Sequence, residues 1–169
     1  MQNVLIMIAH PDDETIFGAN ELLDKTANRF VLCFTNAKHP VRNKEFFETL
    51  KIVQADGAML DFHDAMDDNW SNLQNNEIIK HAVLPNIPDE KPDLIVSHDS
   101  NGEYGHVQHK RVHTIAKDLA EYLHVPFKGF HSTFQTHFQD PITRNSILND
   151  VYKSQQGAIN KHKNFYTAT

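Results

Sequence analysis

The sequence predicts an α/β fold: a Rossmann-like, mostly parallel sheet with helices on both faces, in a single domain. Three observations predict it. Apolar runs of strand length alternate along the chain with segments of helical periodicity. The first run, Val4-Leu5-Ile6-Met7-Ile8, is nearly continuous, which suits a strand buried on both faces. The 169 residues contain no internal repeat, low-complexity segment or linker, and they suffice for one sizeable core, so residues 1–169 form one domain.

The elements follow in order. The first strand spans residues 3–9. A helix is expected over 14–25, with Ile16, Phe17, Ala19, Leu22 and Leu23 inward; Pro11 and the acids after it suit a helix start, where the dipole favours negative charge. Residues 30–34 form the second strand. Residues 42–55 read as helix, with the stripe Phe46, Phe47, Leu50 and Val53. A short third strand covers 58–62, after the stop at Asp56-Gly57. Residues 64–76 are polar and acidic, hence loop. Residues 77–84 are helical, closed by Pro85 and Pro88. The strand 94–97 leads to a loop over 98–105, where Asn101-Gly102 signals a turn. Residues 106–123 form the longest helix, 127–134 the last strand, and 144–156 a terminal helix.

Bulk properties exclude several partners. The formal net charge of −6 argues against nucleic acid and anionic membrane surfaces. No run approaches the roughly 20 apolar residues of a membrane span, and the N-terminus lacks signal-peptide features. A cytoplasmic protein is expected. The single cysteine, Cys33, sits in an apolar run and reads as a small buried hydrophobe.

The first strand ends in Ala9-His10-Pro11-Asp12-Asp13-Glu14. A histidine crowded with three carboxylates is costly to bury unless something positive neutralises it, and a divalent metal does so economically. A second cluster, His98 to His109, follows the strand 94–97. In a parallel α/β sheet both clusters leave carboxyl ends of strands, where ligands bind. On a helix at about 100° per residue, His106, His109 and His113 fall within about 60° of one another. Imidazole with carboxylate suits Zn2+, and also admits other divalent transition metals. Three protein ligands leave one position for a water, whose proton Asp12 is better placed to take than to share a metal with Asp13. His113 is expected behind the ligands or packed in the core rather than as a ligand, Glu14 as a helix-dipole residue or a partner of a ligand, and His98 either behind the ligands or merely capping its strand.

Ala-His-Pro-Asp-Asp-Glu after the first strand, with Asn-Gly-Glu-Tyr-Gly-His-x-x-His after a later one, resembles the PIG-L/LmbE-like family of N-acetylglucosaminyl deacetylases. An Arg-x-x-Glu at Arg42 and Glu45 and a late Tyr152, Ser154, Gln155 extend the resemblance. It implies that His10, Asp13 and His109 hold the metal, that Asp12 is the general base, and that His106 stabilises charge or donates a proton. It implies that Tyr104 sits beside the substrate carbonyl and that Arg42 contacts substrate. Asp64, after Phe62-His63, and Asn101 are further candidate substrate contacts. The implied partner is a small-molecule N-acetyl sugar conjugate. The chain departs from the family at Gln108, where an aspartate is usual, and the departure touches the expected basicity of His106. Thr35-Asn36-Ala37-Lys38 also departs from the usual Thr-Arg-Gly-Glu. The short chain implies a pocket wall that is missing or comes from another subunit of a homo-oligomer.

Three other readings compete. A sugar-binding relative that no longer hydrolyses is consistent with Gln108 and the short chain. A nucleotide-binding module lacks its Gly-x-Gly-x-x-Gly turn and has carboxylates where phosphate needs bare N–H groups. A phosphoesterase would want two metals and more carboxylate ligands.

Overall fold

The computed structural model describes residues 1–65, 70 and 72–130. The elements are β1 (Gln2–Ile8), α1 (Asp13–Ile16), α2 (Ala19–Leu22), β2 (Ala27–Thr35), α3 (Pro40–Val53), β3 (Asp56–Phe62), α4 (Asn75–Ile78), β4 (Leu94–Ser97), α5 (Gly102–Gly105), α6 (Val107–Leu123) and β5 (Phe127–Gly129). The strands form one parallel sheet in the order β3-β2-β1-β4-β5. This is the expected Rossmann-like architecture.

Period-two alternation in β1 divides the core between two faces. Leu5, Met7 and Ala9 pack with Leu32, Phe34 and Ile95 under Val112, Ile115, Ala116 and Leu119 of α6. Val4, Ile6 and Ile8 pack with Val31, Cys33 and Val96 under Phe46, Leu50 and Val53 of α3. Both faces of β1 are therefore dry, as its unbroken apolar run requires. Cys33 is a free, buried thiol. No helix among the described residues is long and apolar enough to cross a membrane.

The sheet order positions the site. β1 pairs with β2 on one side and β4 on the other, and the chain reverses its direction of winding between β1 and β4. Met7 lies opposite Ser97, so the segments starting at His10 and His98 leave the sheet side by side. A crevice at such a reversal is where open α/β sheets bind ligands.

Several expectations are corrected. The helix over 14–25 is two four-residue helices, α1 and α2, broken at Phe17-Gly18. A side chain at Gly18 would meet the Phe130 ring at 3.0 Å and the Glu14 carbonyl at 3.2 Å, so this close approach needs glycine. Phe47 leaves the buried stripe and is 42% exposed, while Phe46, Leu50 and Val53 stay inside. The helix expected at 77 starts at Asn75 and changes pitch, through a π turn at Ile79–Val83 and a 3-10 turn at Leu84–Asn86, as it reaches Pro85. The loop 98–105 contains the helical turn α5. β5 ends at Gly129; residues 131–134, the helix expected at 144–156, and Tyr152, Ser154 and Gln155 lie outside the described residues.

Candidate active site

The site is assembled from three segments. The turn after β1 supplies His10, Asp12 and Asp13; the α5 turn supplies Glu103 and Tyr104; α6 and its cap supply His106, Gln108 and His109. His106 is the N-cap of α6, its Nδ1 accepting the Gln108 N–H at 3.2 Å. The backbone is strained at two points. Asp12 has φ 129° and Glu103 φ 58° with ψ −64°, positions that non-glycine residues rarely occupy. Gly102, at φ 64°, starts the α5 turn where a Cβ would press on the Lys110 side chain at 3.0 Å.

Three donor atoms form a small triangle. His10 Nδ1 lies 3.3 Å from Asp13 Oδ2 and 3.2 Å from His109 Nε2, and the third edge, His109 Nε2 to Asp13 Oδ2, is 3.4 Å. His10, Asp13 and His109 are all buried. Two overlapping trios have metal-binding spacing among the described residues: His10, His106 and His109, and Asp13, His98 and His109.

A web of hydrogen bonds orients these groups. The Glu103 carboxylate lies 2.7 Å from His109 Nδ1 and 3.0 Å from His98 Nδ1. Glu103 is held well into the ionised range, to about 2: burial opposes this, but both imidazoles outweigh it. The two rings it clamps stack at 3.9 Å. His98 Nε2 lies 3.0 Å from the Ala9 N and 3.3 Å from Asp13 Oδ2. Burial opposes protonation of this ring, but the carboxylates of Asp13 and Glu103 on either side of it outweigh that cost and raise its pKa to about 9. The His98 carbonyl in turn faces His113 Nδ1 at 2.7 Å. Glu14 Oε2 accepts the Asp12 N–H at 2.9 Å. His98, His113 and Glu14 thus stand behind the triangle.

The charges diverge sharply. Burial, then the neighbouring Asp13, pushes the Asp12 carboxyl well above the usual carboxylate range, against the pull of Arg42. Asp13 is held well below that range: burial opposes ionisation, but His109, His10 and His98 outweigh it. Arg42 Nη2 lies 3.5 Å from Asp12 Oδ2, and the same nitrogen donates to the Pro11 carbonyl. His106 is lowered to about 4 by burial and by the adjacent His109 and His10. Tyr104 is raised to about 12 by burial and the nearby carboxylates.

The other predicted residues divide. Tyr104 is half exposed, its ring 5.8 Å from that of His106 and 5.6 Å from that of His109. Asp64 comes in, with Oδ1 3.4 Å from His10 Nε2 and Oδ2 accepting from the Asn36 side chain at 2.9 Å. Asn101 is exposed, and the hydrogen bond described for it runs from its N–H to Asp99 Oδ1. It is not brought against the histidines. The side chain of Gln108 touches His10 rather than His106, with Oε1 2.6 Å from His10 Nε2, so its effect on His106 basicity is not a side-chain contact. Glu103 was not singled out from sequence: six residues before His109, across a strained turn, it carries no periodic signal.

Comparison with known proteins places the chain in a family. The family model PIG-L, described as GlcNAc-PI de-N-acetylase, matches residues 5–120. An uncharacterised protein of Acanthamoeba polyphaga mimivirus is 26% identical over 94% of this chain and 74% of its own length. The N-acetylglucosaminyl-phosphatidylinositol de-N-acetylase of Bos taurus is 26% identical over 68% of this chain and 49% of its own. The chain thus spans about half the length of that enzyme. Among solved structures, the zinc-inhibited form of teicoplanin deacetylase Orf2 superposes with TM-score 0.63 at 14% identity, covering 91% of this chain and 85% of that one. The 4-carboxy-2-hydroxymuconate hydratase GalB of Pseudomonas putida superposes at 0.58 with 13% identity, covering 99% and 83%. A deacetylase and a hydratase on one scaffold make the fold itself silent about the reaction. The matched region holds both histidine-bearing segments, and this chain belongs to the PIG-L family of de-N-acetylases.

Proposed function

We propose that this protein is a zinc-dependent N-deacetylase, a hydrolase that removes the acetyl group from an N-acetylated sugar or a related small amide. The triangle of His10 Nδ1, Asp13 Oδ2 and His109 Nε2 carries the reading, with edges of 3.3, 3.2 and 3.4 Å. Zinc bonds of about 2.0–2.1 Å at the tetrahedral angle separate donors by about 3.3–3.4 Å, so the three atoms already stand at the spacing of one tetrahedral face. Two imidazole nitrogens this close beside a carboxylate call for a positive charge between them. His98 is a poorer ligand because Asp13 and Glu103, one at each ring nitrogen, hold it protonated. His106 is poorer because its Nδ1 accepts from Gln108 N–H, which leaves the proton on Nε2. Other divalent transition metals suit the same donors. When bound, the metal would acidify a water and polarise an amide carbonyl.

The remaining steps belong to the chain's own residues. Asp12 takes the proton of the attacking water, and its raised affinity for a proton suits a base working near neutral pH. Arg42 orients the Asp12 carboxylate. His106, neutral above about pH 4, donates from Nε2 to the developing oxyanion, a contact worth roughly 3 kcal/mol in other enzymes. The Tyr104 hydroxyl keeps its proton and stands as a second donor. A neutral His106 makes a poor acid, so the proton held by Asp12 is the one returned to the leaving amine. Arg42, Asp64 and Asn101 are the proposed substrate contacts, with a small-molecule N-acetyl sugar conjugate as partner. The name of one relative, an N-acetylglucosaminyl-phosphatidylinositol de-N-acetylase, supports that substrate class.

A panel of N-acetylated sugars and sugar conjugates, assayed for acetate release with and without a chelator, tests the reading. Chelator-sensitive release restored by zinc is the expected result. Binding of an N-acetyl sugar with no release from any substrate would leave the sugar-binding alternative.

A further inference from the structure

We propose that Gln108 is a positioning residue: its amide decides which nitrogen His10 turns toward the metal and ties the loop after β3 to that ring. The inference rests on the metal reading above. Gln108 is 1% exposed, at the second position of α6. Its Nε2 lies 2.9 Å from the His63 carbonyl, which only accepts, so the nitrogen end of the amide faces His63. The oxygen end therefore faces His10, 2.6 Å from its Nε2. An amide oxygen only accepts, so His10 Nε2 carries a proton and donates it. That leaves Nδ1 as the nitrogen presented to Asp13 and His109.

The same amide reaches further. The His63 carbonyl also accepts the Trp70 indole N–H at 3.1 Å. Asp64, next in the chain, stands 3.4 Å from His10 Nε2. Gln108 thus links the turn after β1, the loop after β3 and the first turn of α6. A carboxylate at 108 would accept from His10 but has nothing to donate to His63. It would also add a negative charge against His10, which Asp13 and Asp64 already flank. Glutamine meets both hydrogen-bonding demands without that charge.

The test compares wild type with Gln108→Ala, Gln108→Met and Gln108→Glu. Zinc affinity is read by chelator competition, and the protonated nitrogen of His10 by 15N NMR of its ring. Trp70, the single tryptophan, reports the loop by its emission. Wild type is expected to show a slowly exchanging His10 Nε2–H with or without zinc. Gln108→Ala and the similarly shaped Gln108→Met lose that signal and bind zinc about 10- to 100-fold more weakly. Gln108→Glu keeps the signal and the affinity, while Trp70 emission shifts to the red as its carbonyl partner is released. An unchanged Nε2–H signal and zinc affinity in both the Ala and Met variants overturn the proposal. Wild type that binds no zinc overturns the metal reading instead, and the ring signal and Trp70 emission still decide the role of Gln108.

Discussion

The two rims of the sheet hold different things. At the amino ends of the strands lies a cavity of about 250 Å³, lined by Asn3, Arg29, Phe30, Ile87 and Pro88 among others. Its buried cation, Arg29, is engaged by the carbonyls of Leu22 and Gln54, which it caps at 2.6 and 3.0 Å. At the carboxyl ends, His10, Asp12, Asp13, Glu103, His106 and His109 converge on two strained backbone positions. One rim offers room, the other chemistry. Volume by itself is a poor guide to function; buried, divergent charges on a constrained backbone are a better one.

Within the reactive rim the contrast repeats at two adjacent residues. Asp13 faces three imidazoles and stays ionised, while Asp12 faces a like charge and is pushed toward its neutral form. Two neighbouring carboxylates driven apart in this way can serve as ligand and base.

Replacing each in turn sharpens that difference. Asp12→Asn is expected to lower kcat on the order of 10²- to 10⁴-fold while zinc content, read by metal analysis, stays near one per chain. His10→Ala should lose the zinc itself. An Asp12→Asn enzyme with full turnover would remove Asp12 as the base.

A smaller effect is expected at Glu103. Its folded value of about 2 lies below the ordinary 4.5, so it stabilises the fold fully above about pH 4.5 and loses that contribution as pH falls toward 2. The contribution is on the order of 3 kcal/mol. In metal-free protein, Glu103→Gln should flatten the fall of stability over that window, as measured by urea unfolding at stepped pH. An acid limb unchanged by the substitution would place the pH sensitivity elsewhere.

The opposite rim provides the smallest effect on activity. Arg29→Met should cost about 2 kcal/mol of stability through its two lost carbonyl contacts, yet leave kcat and zinc content as they were. A parallel loss of turnover would mean that the two rims are coupled.

The sheet was legible because its signals are local. β4 covers the expected residues 94–97, and α6 starts one residue after its histidine cap. The break at Phe17-Gly18 was not legible in an apolar spacing that suits one continuous helix, and the Phe130 ring packed at Gly18 comes from 112 positions away in the chain. Phe47 matched a stripe by spacing, yet α3 presents it to solvent. His10, Asp12, Asp13, His106 and His109 could be picked out by residue type and by where their strands end.

The partners of those residues are another matter. Sequence alone determined the fold class and the two chemistry-bearing segments, because hydrophobic periodicity and charge crowding are properties of short stretches of chain. Only the tertiary structure decided that Glu103 clamps His109 and His98, that Gln108 reaches His10 rather than His106, and that Arg42 meets Asp12. Gln108 meets His10 through the pairing of β1 with β4, Arg42 meets Asp12 through the pairing of β1 with β2, and Glu103 reaches both histidines through its own strained turn; no spacing rule carries such contacts.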